Sequence, residues 1–119
     1  MKTYNRVKGN AGEAIATSYL LKHDFEIIET NHISRFGEID LIAKRDNTYH
    51  FVEVKYRTAL GFGNGREAVT YSKQKTIRKI ATEYLIKKKL FNNVDMSFDV
   101  IEIMGTLQDH QIEFLQACF

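Results

Sequence analysis

Residues 38–57 read EIDLIAKRDNTYHFVEVKYR, two runs that alternate apolar and charged residues around a polar turn. Glu38 and Asp40 lie on the first run, and Glu53, Lys55 and Arg57 on the second. Alternation of this kind is the period of a half-buried strand, so Glu53 and Lys55 project the same way, about 7 Å apart along the chain. A two-residue loop at Asp46-Asn47 pairs Arg45 with Thr48 and, counting back, sets Asp40 opposite Glu53 and Glu38 opposite Lys55. A three-residue loop shifts that register. Facing carboxylates destabilise a strand pair unless something compensates, and a divalent cation would do so. Hard carboxylate oxygens suit Mg2+ or Mn2+, which keep coordination positions for water and phosphate oxygens. A lysine beside such an ion can orient the attacking water or stabilise charge on a phosphate. Two acids and a lysine around one metal are therefore equipment for phosphodiester hydrolysis. The competing reading is structural: a hairpin with Ile39, Leu41, Val52 and Val54 in the core and a merely solvated charged face. A lone Glu-x-Lys is too common to decide between them.

The rest of the chain must position this hairpin. Its 119 residues and 13.8 kDa fit a single domain, 1–119. There is no proline, repeat or low-complexity tract. Helical spacing runs from about Lys8 to His23, with Ala11, Ala14, Ile15, Ser18 and Leu21 as an apolar stripe and Gly9, Gly12 and Ala16 as a second, small-residue stripe that lets another backbone approach closely. A strand is expected at 25–33 and a turn at 34–37, ahead of the hairpin. The run TALGFGNG (58–65) reads as a mobile loop. A second helix spans about Tyr71 to Lys89, with Ile77, Ile80, Ala81, Tyr84 and Leu85 on its inner face. Two strands, 96–104 and 111–119, complete the order α-β-β-β-α-β-β. The simplest architecture is α/β, a central mixed β-sheet flanked by helices.

Charge is segregated. The net charge is only +2, yet residues 55–90 hold ten basic and two acidic residues, and the remainder is acidic. A basic segment beside an acidic one suits a protein that attracts a polyanion and binds a cation, although a solvated lysine-rich helix face explains the basic part equally well. One cysteine, Cys118, excludes an internal disulfide and argues for a reducing, cytoplasmic setting. No stretch approaches membrane-spanning length, and no signal-type apolar run is expected at the N-terminus. The four histidines lack metal-ligand spacing and read as surface or structural residues. Tyr19 and Tyr84 read as core, and Cys118 as unreactive.

The segments GNAGEAIATSYL (9–20), GEIDLIA (37–43), FVEVKYR (51–57), EAVTYSKQKTIRKIATEYL (67–85) and FDVIEI (98–103) together resemble the YraN-like family. That family lies in the PD-(D/E)xK nuclease superfamily and is similar to Holliday junction resolvases, with a restriction-endonuclease-like core. The superfamily's proline is replaced here by Ile39. The resemblance implies that Asp40 and Glu53 bind the metal, Mg2+ or Mn2+, and that the Val54 carbonyl adds a ligand. It implies that Lys55 serves the water or scissile phosphate. Glu13 matches an acid that joins the site in related resolvases, a solvated helix glutamate being the alternative. Glu38 is either a ligand or a partner that positions Lys55, and Lys73 and Gln74 fall where related nucleases place polar residues. Phosphate contacts are expected from Arg57, Arg66, Lys73, Lys75, Arg78 and Lys79. The activity implied is DNA endonuclease, structure-selective for branched DNA and acting as a homodimer. The alternatives are a nucleic-acid-binding module without cleavage and a protein-interaction domain.

Overall fold

The computed structural model describes the backbone of residues 2–57 and 69–119, with side chains from residue 11 onward. Arg66 and the glycine-rich 58–65 stretch lie outside the described residues. Helix α1 spans Lys2–Lys22, followed by β1 (Glu26–Ser34), β2 (Gly37–Arg45), β3 (Thr48–Arg57), α2 (Tyr71–Lys87), β4 (Asp95–Gly105) and β5 (His110–Leu115). The element order is the expected one, and the strands form one sheet in the order β1-β2-β3-β4-β5. Neighbours are antiparallel except β3 and β4, which are parallel. A parallel pair needs a crossover, and α2 lies on it.

The two helices cover opposite faces. On one, Ala16, Leu20 and Phe25 pack with Leu41, Ala43, Val52, Ile101 and Ile103. On the other, Ile77, Ile80, Ala81, Tyr84 and Leu85 of α2 pack with Ile39, Ile42, Phe51, Phe98 and Val100. Burial on both sides explains why the central strands are rich in β-branched and aromatic residues. Among the described residues, no helix is long and apolar enough to cross a membrane.

Three expectations are corrected. Helix α1 begins at Lys2, a full turn and more before Lys8. Its inner face is Gly12, Ala16 and Leu20, whereas Ala14, Ser18 and Leu21 of the expected apolar stripe point away from the core, Leu21 being 56% exposed. The reason is steric: a Cβ at Gly12 would stand 3.3 Å from Tyr56 Cβ, so the small-residue stripe is what lets α1 lie flat on β3. Finally, β5 ends at Leu115 rather than 119, because Ala117 turns through φ 50° and its N–H goes to Asp99 Oδ1, 2.9 Å away. Tyr84 is core as expected, and Tyr19, half-buried, packs against the α1-side core with its ring stacked on His23.

Candidate metal centre where β2 and β3 part

The two-residue turn is present: Arg45 pairs with Thr48, and Asp46 adopts φ 56°, a left-handed conformation that Asp tolerates. From there the ladder zips back to Leu41–Val52 and stops. One step further, where Asp40 was expected to face Glu53 across a regular pair, the Asp40 carboxylate takes the strand's hydrogen bond instead. Its Oδ2 accepts the Val54 N–H at 2.9 Å. The strands part here because a side chain replaces the ladder.

The other side of β2 is distorted at the same level. The β1–β2 ladder passes from Thr30–Leu41 to His32–Ile39, skipping Asn31 and Asp40, and Asn31 sits at φ 51°. Ile39 belongs to the α2-side core and Leu41 to the α1-side core, although a period of two would put them on one face. Asp40 thus stands at a break in the strand from which both helix layers can be reached. From α1, Glu13 comes in, held by Asn31, whose Nδ2 donates to Glu13 Oε2 at 2.9 Å. Carboxylate oxygens of Glu13, Glu38 and Asp40 all lie within 4.8 Å of one another.

On the α2 side, Glu53 is 1% exposed. Its Oε2 accepts from Lys73 Nζ at 3.1 Å, and its Oε1 is buried with no hydrogen-bond partner among the described residues. Lys73 reaches it from the first turn of α2, where the Thr70 side chain caps the helix by accepting the Lys73 backbone N–H at 3.2 Å. A cleft of about 510 Å3 opens between these elements, lined by Glu38, Asp40, Thr70, Ser72 and Lys73 among others.

Electrostatics follow from crowding acids in a partly dry place. Burial, then the neighbouring Asp40 charge, raises the Glu53 pKa to about 7, against the pull of Lys73 and Lys55. Burial also raises Asp40, opposed by the Val54 N–H and by both lysines. Glu13 is raised by burial and by Asp40 and Glu38, in spite of the Asn31 hydrogen bond. Burial works against the Lys73 ammonium, but Glu53, Asp40 and Glu38 outweigh it and hold its pKa above the ordinary lysine value. Acids that resist ionisation beside one another form a site that favours a proton or an added cation.

The structure therefore brings Glu13 and Glu38 to Asp40, which the Val54 N–H holds, while Glu53 stands outside that carboxylate cluster, paired with Lys73 and feeling the Asp40 charge. Lys55 is half-buried and acts on both Asp40 and Glu53 through its charge. Glu38 joins Glu13 and Asp40 and, among the described residues, makes no ion pair with Lys55. The residues expected to touch phosphate divide. Lys73 turns into the site, and Gln74 Nε2 donates to the Val69 carbonyl at 3.0 Å. Lys75 lies over the Tyr71 ring, Arg78 over Phe98 and Lys79 over Phe36, with centroid distances of 5.3, 4.5 and 4.9 Å. Arg57 is 3.9 Å from the buried Glu102 carboxylate. Sequence reasoning missed Asn31. The available signal was a residue disfavoured in strands but tolerant of left-handed backbone, in the middle of a β-forming run.

A mixed five-stranded sheet with a helix on each face, and carboxylates gathered where two adjacent strands part, is an α/β core compatible with the restriction-endonuclease-like architecture. The profile of the uncharacterised protein family UPF0102 matches residues 12–103, and the chain belongs to that family, the one to which the YraN-like resemblance pointed. It is 42% identical over 121 residues to a UPF0102 protein of Clostridium perfringens, covering 100% of this chain and 98% of the relative. A UPF0102 protein of Acetivibrio thermocellus is 42% identical over 113 residues, covering 94% and 86%. One from Clostridioides difficile is 44% identical over 99 residues, covering 83% and 86%.

Proposed function

We propose that this chain is a metal-dependent DNA endonuclease of the PD-(D/E)xK type, selective for branched DNA. The observation that carries the reading is Asp40: it breaks the β2–β3 ladder, and its carboxylate stands among Glu13, Glu38 and the charges of Glu53 and Lys55. The donor set fits a hard divalent ion. It is all oxygen, carboxylates with a backbone carbonyl beside them, with acids raised by burial and mutual repulsion and one buried Glu53 oxygen lacking a partner among the described residues.

Asp40 and Glu53 would hold Mg2+ or Mn2+, with Glu13 and Glu38 at its border and the Val54 carbonyl as a further donor. When bound, the ion supplies Lewis-acid polarisation of a phosphate oxygen and a more acidic water. The chain's own groups do the rest. Asn31 fixes the Glu13 carboxylate, and the Val54 N–H fixes that of Asp40. The Lys55 ammonium stabilises negative charge developing on the scissile phosphate. Lys75, Arg78 and Lys79, spread along α2, grip backbone phosphates without reading sequence. Arg57 extends that grip at the end of β3. A homodimer in the cytoplasm goes with this reading, since symmetric cutting of a four-way junction needs two sites.

The test is a metal titration with linear, flapped and four-way DNA. Products should need Mg2+ or Mn2+ and vanish in Asp40→Ala and Lys55→Ala; cutting that survives both changes, with contamination excluded, sinks the site. One observation favours a second reading, a binding module without turnover: Lys73 pairs with Glu53, so the chain itself supplies a counter-charge to this carboxylate. That reading expects salt-sensitive DNA affinity and no products at any metal concentration.

A further inference from the structure

Lys73 breaks a local rule. It occupies the third position of α2 after its Thr70 cap, where a glutamate or glutamine would close a capping box and where the helix dipole disfavours a cation. Its backbone obeys the cap, donating to Thr70 Oγ1, while its side chain leaves the helix for Glu53. Glu53 is almost wholly buried, and among the described residues one of its oxygens is held only by this ammonium while the other has no partner. Side-chain exposure is 47% for Lys73 and 2% for Glu53, so the lysine is the half of the pair with a path to solvent, through the cleft it lines. An ammonium and a divalent ion cannot both be best partner to the same oxygen.

We propose that Lys73 is a built-in counter-cation that occupies Glu53 when no metal is bound and is displaced from it when a divalent ion enters. This rests on the reading of the fork as a metal centre. The exchange breaks no covalent bond: Glu53 passes from ammonium to a divalent ion, whose second charge answers Asp40, and the freed ammonium swings into the cleft that Glu38 and Asp40 line, where it is available to a substrate phosphate. Lys73 is then a positioning residue that keeps the buried carboxylate tolerable in the empty site and ties metal loading to phosphate binding. Lys55 provides the comparison, since its charge also acts on Asp40 and Glu53 but no ion pair joins it to Glu53 among the described residues.

The experiment measures Mn2+ affinity by electron paramagnetic resonance and calorimetry, without DNA, in the wild type, Lys73→Met, Glu53→Gln and the double variant. Circular dichroism checks folding, and Lys73→Arg provides a charge-retaining variant. Competition through Glu53 predicts that Lys73→Met binds Mn2+ about tenfold more tightly, with a gain under about threefold in the Glu53→Gln background. Lys73→Arg should stay near wild type. An equal gain in both backgrounds means the lysine acts only through space, and weaker binding in Lys73→Met means it supports the metal; either overturns the exchange while leaving the metal centre standing. No Mn2+ binding by folded wild type overturns both.

Discussion

Replacing Glu53 with glutamine should flatten the pH dependence of stability in the metal-free protein. In the folded chain the Glu53 carboxyl is raised from the ordinary 4.5 to about 7, chiefly by burial and by Asp40. A raised acid favours folding while protonated: its contribution is complete below about pH 4.5 and is lost as pH climbs through 7. The whole span corresponds to about 3 kcal/mol, most of it falling between pH 5 and pH 8. Solvent screens little of this, because the residue is 1% exposed. Guanidinium unfolding in the presence of a chelator, at half-unit steps over that range, gives the comparison. Wild type should lose about 2–3 kcal/mol more than Glu53→Gln on going from pH 5 to pH 8, and the variant should be the more stable protein at pH 8. Parallel curves for the two proteins would refute the assignment of a raised, buried carboxyl to this position.

Asn31 offers a backbone test: Asn31→Gly should keep the left-handed turn of β1, whereas Asn31→Val should cost about 1–3 kcal/mol in thermal or chemical unfolding. Gly12→Val pushes a branched side chain into Tyr56 and should destabilise by about 1–3 kcal/mol, with Gly12→Ala much milder; denaturation midpoints read both. Removing the charge at Lys75 or Arg78 should weaken DNA binding similarly across sequences and lower the salt slope by about 1 for each phosphate no longer neutralised, measured by fluorescence anisotropy. A slope that does not change would take α2 out of the interface.

What could be read in the sequence was what local chemistry controls. The Asp46-Asn47 turn sets the hairpin register as far as Leu41–Val52, and the i, i+3, i+4 pattern from Ile77 to Leu85 gives the inner face of α2. Where two patterns competed, hydrophobicity misled. In α1 the closest approach belongs to Gly12 and Ala16, because a helix lying on a strand needs clearance more than grease. The fork itself was hidden. Alternation extrapolates a ladder indefinitely, and nothing in EIDLIA announces that the Asp40 carboxylate will take the Val54 N–H. Asn31 to Glu13 and Lys73 to Glu53 are likewise products of tertiary folding, joining elements that no local period connects.

That dispersal has a consequence for how the centre comes into being. Its surroundings run from Glu13 through Asn31, Asp40 and Glu53 to Lys73, one each from α1, β1, β2, β3 and α2, so the β2–β3 hairpin brings Asp40 and Glu53 but none of the groups that hold and neutralise them from α1, β1 and α2. A chain emerging from the ribosome has no completed cluster until α2 has crossed over to the sheet. Split-protein complementation should therefore regain metal binding only when both halves dock, making ion uptake a reporter of native assembly.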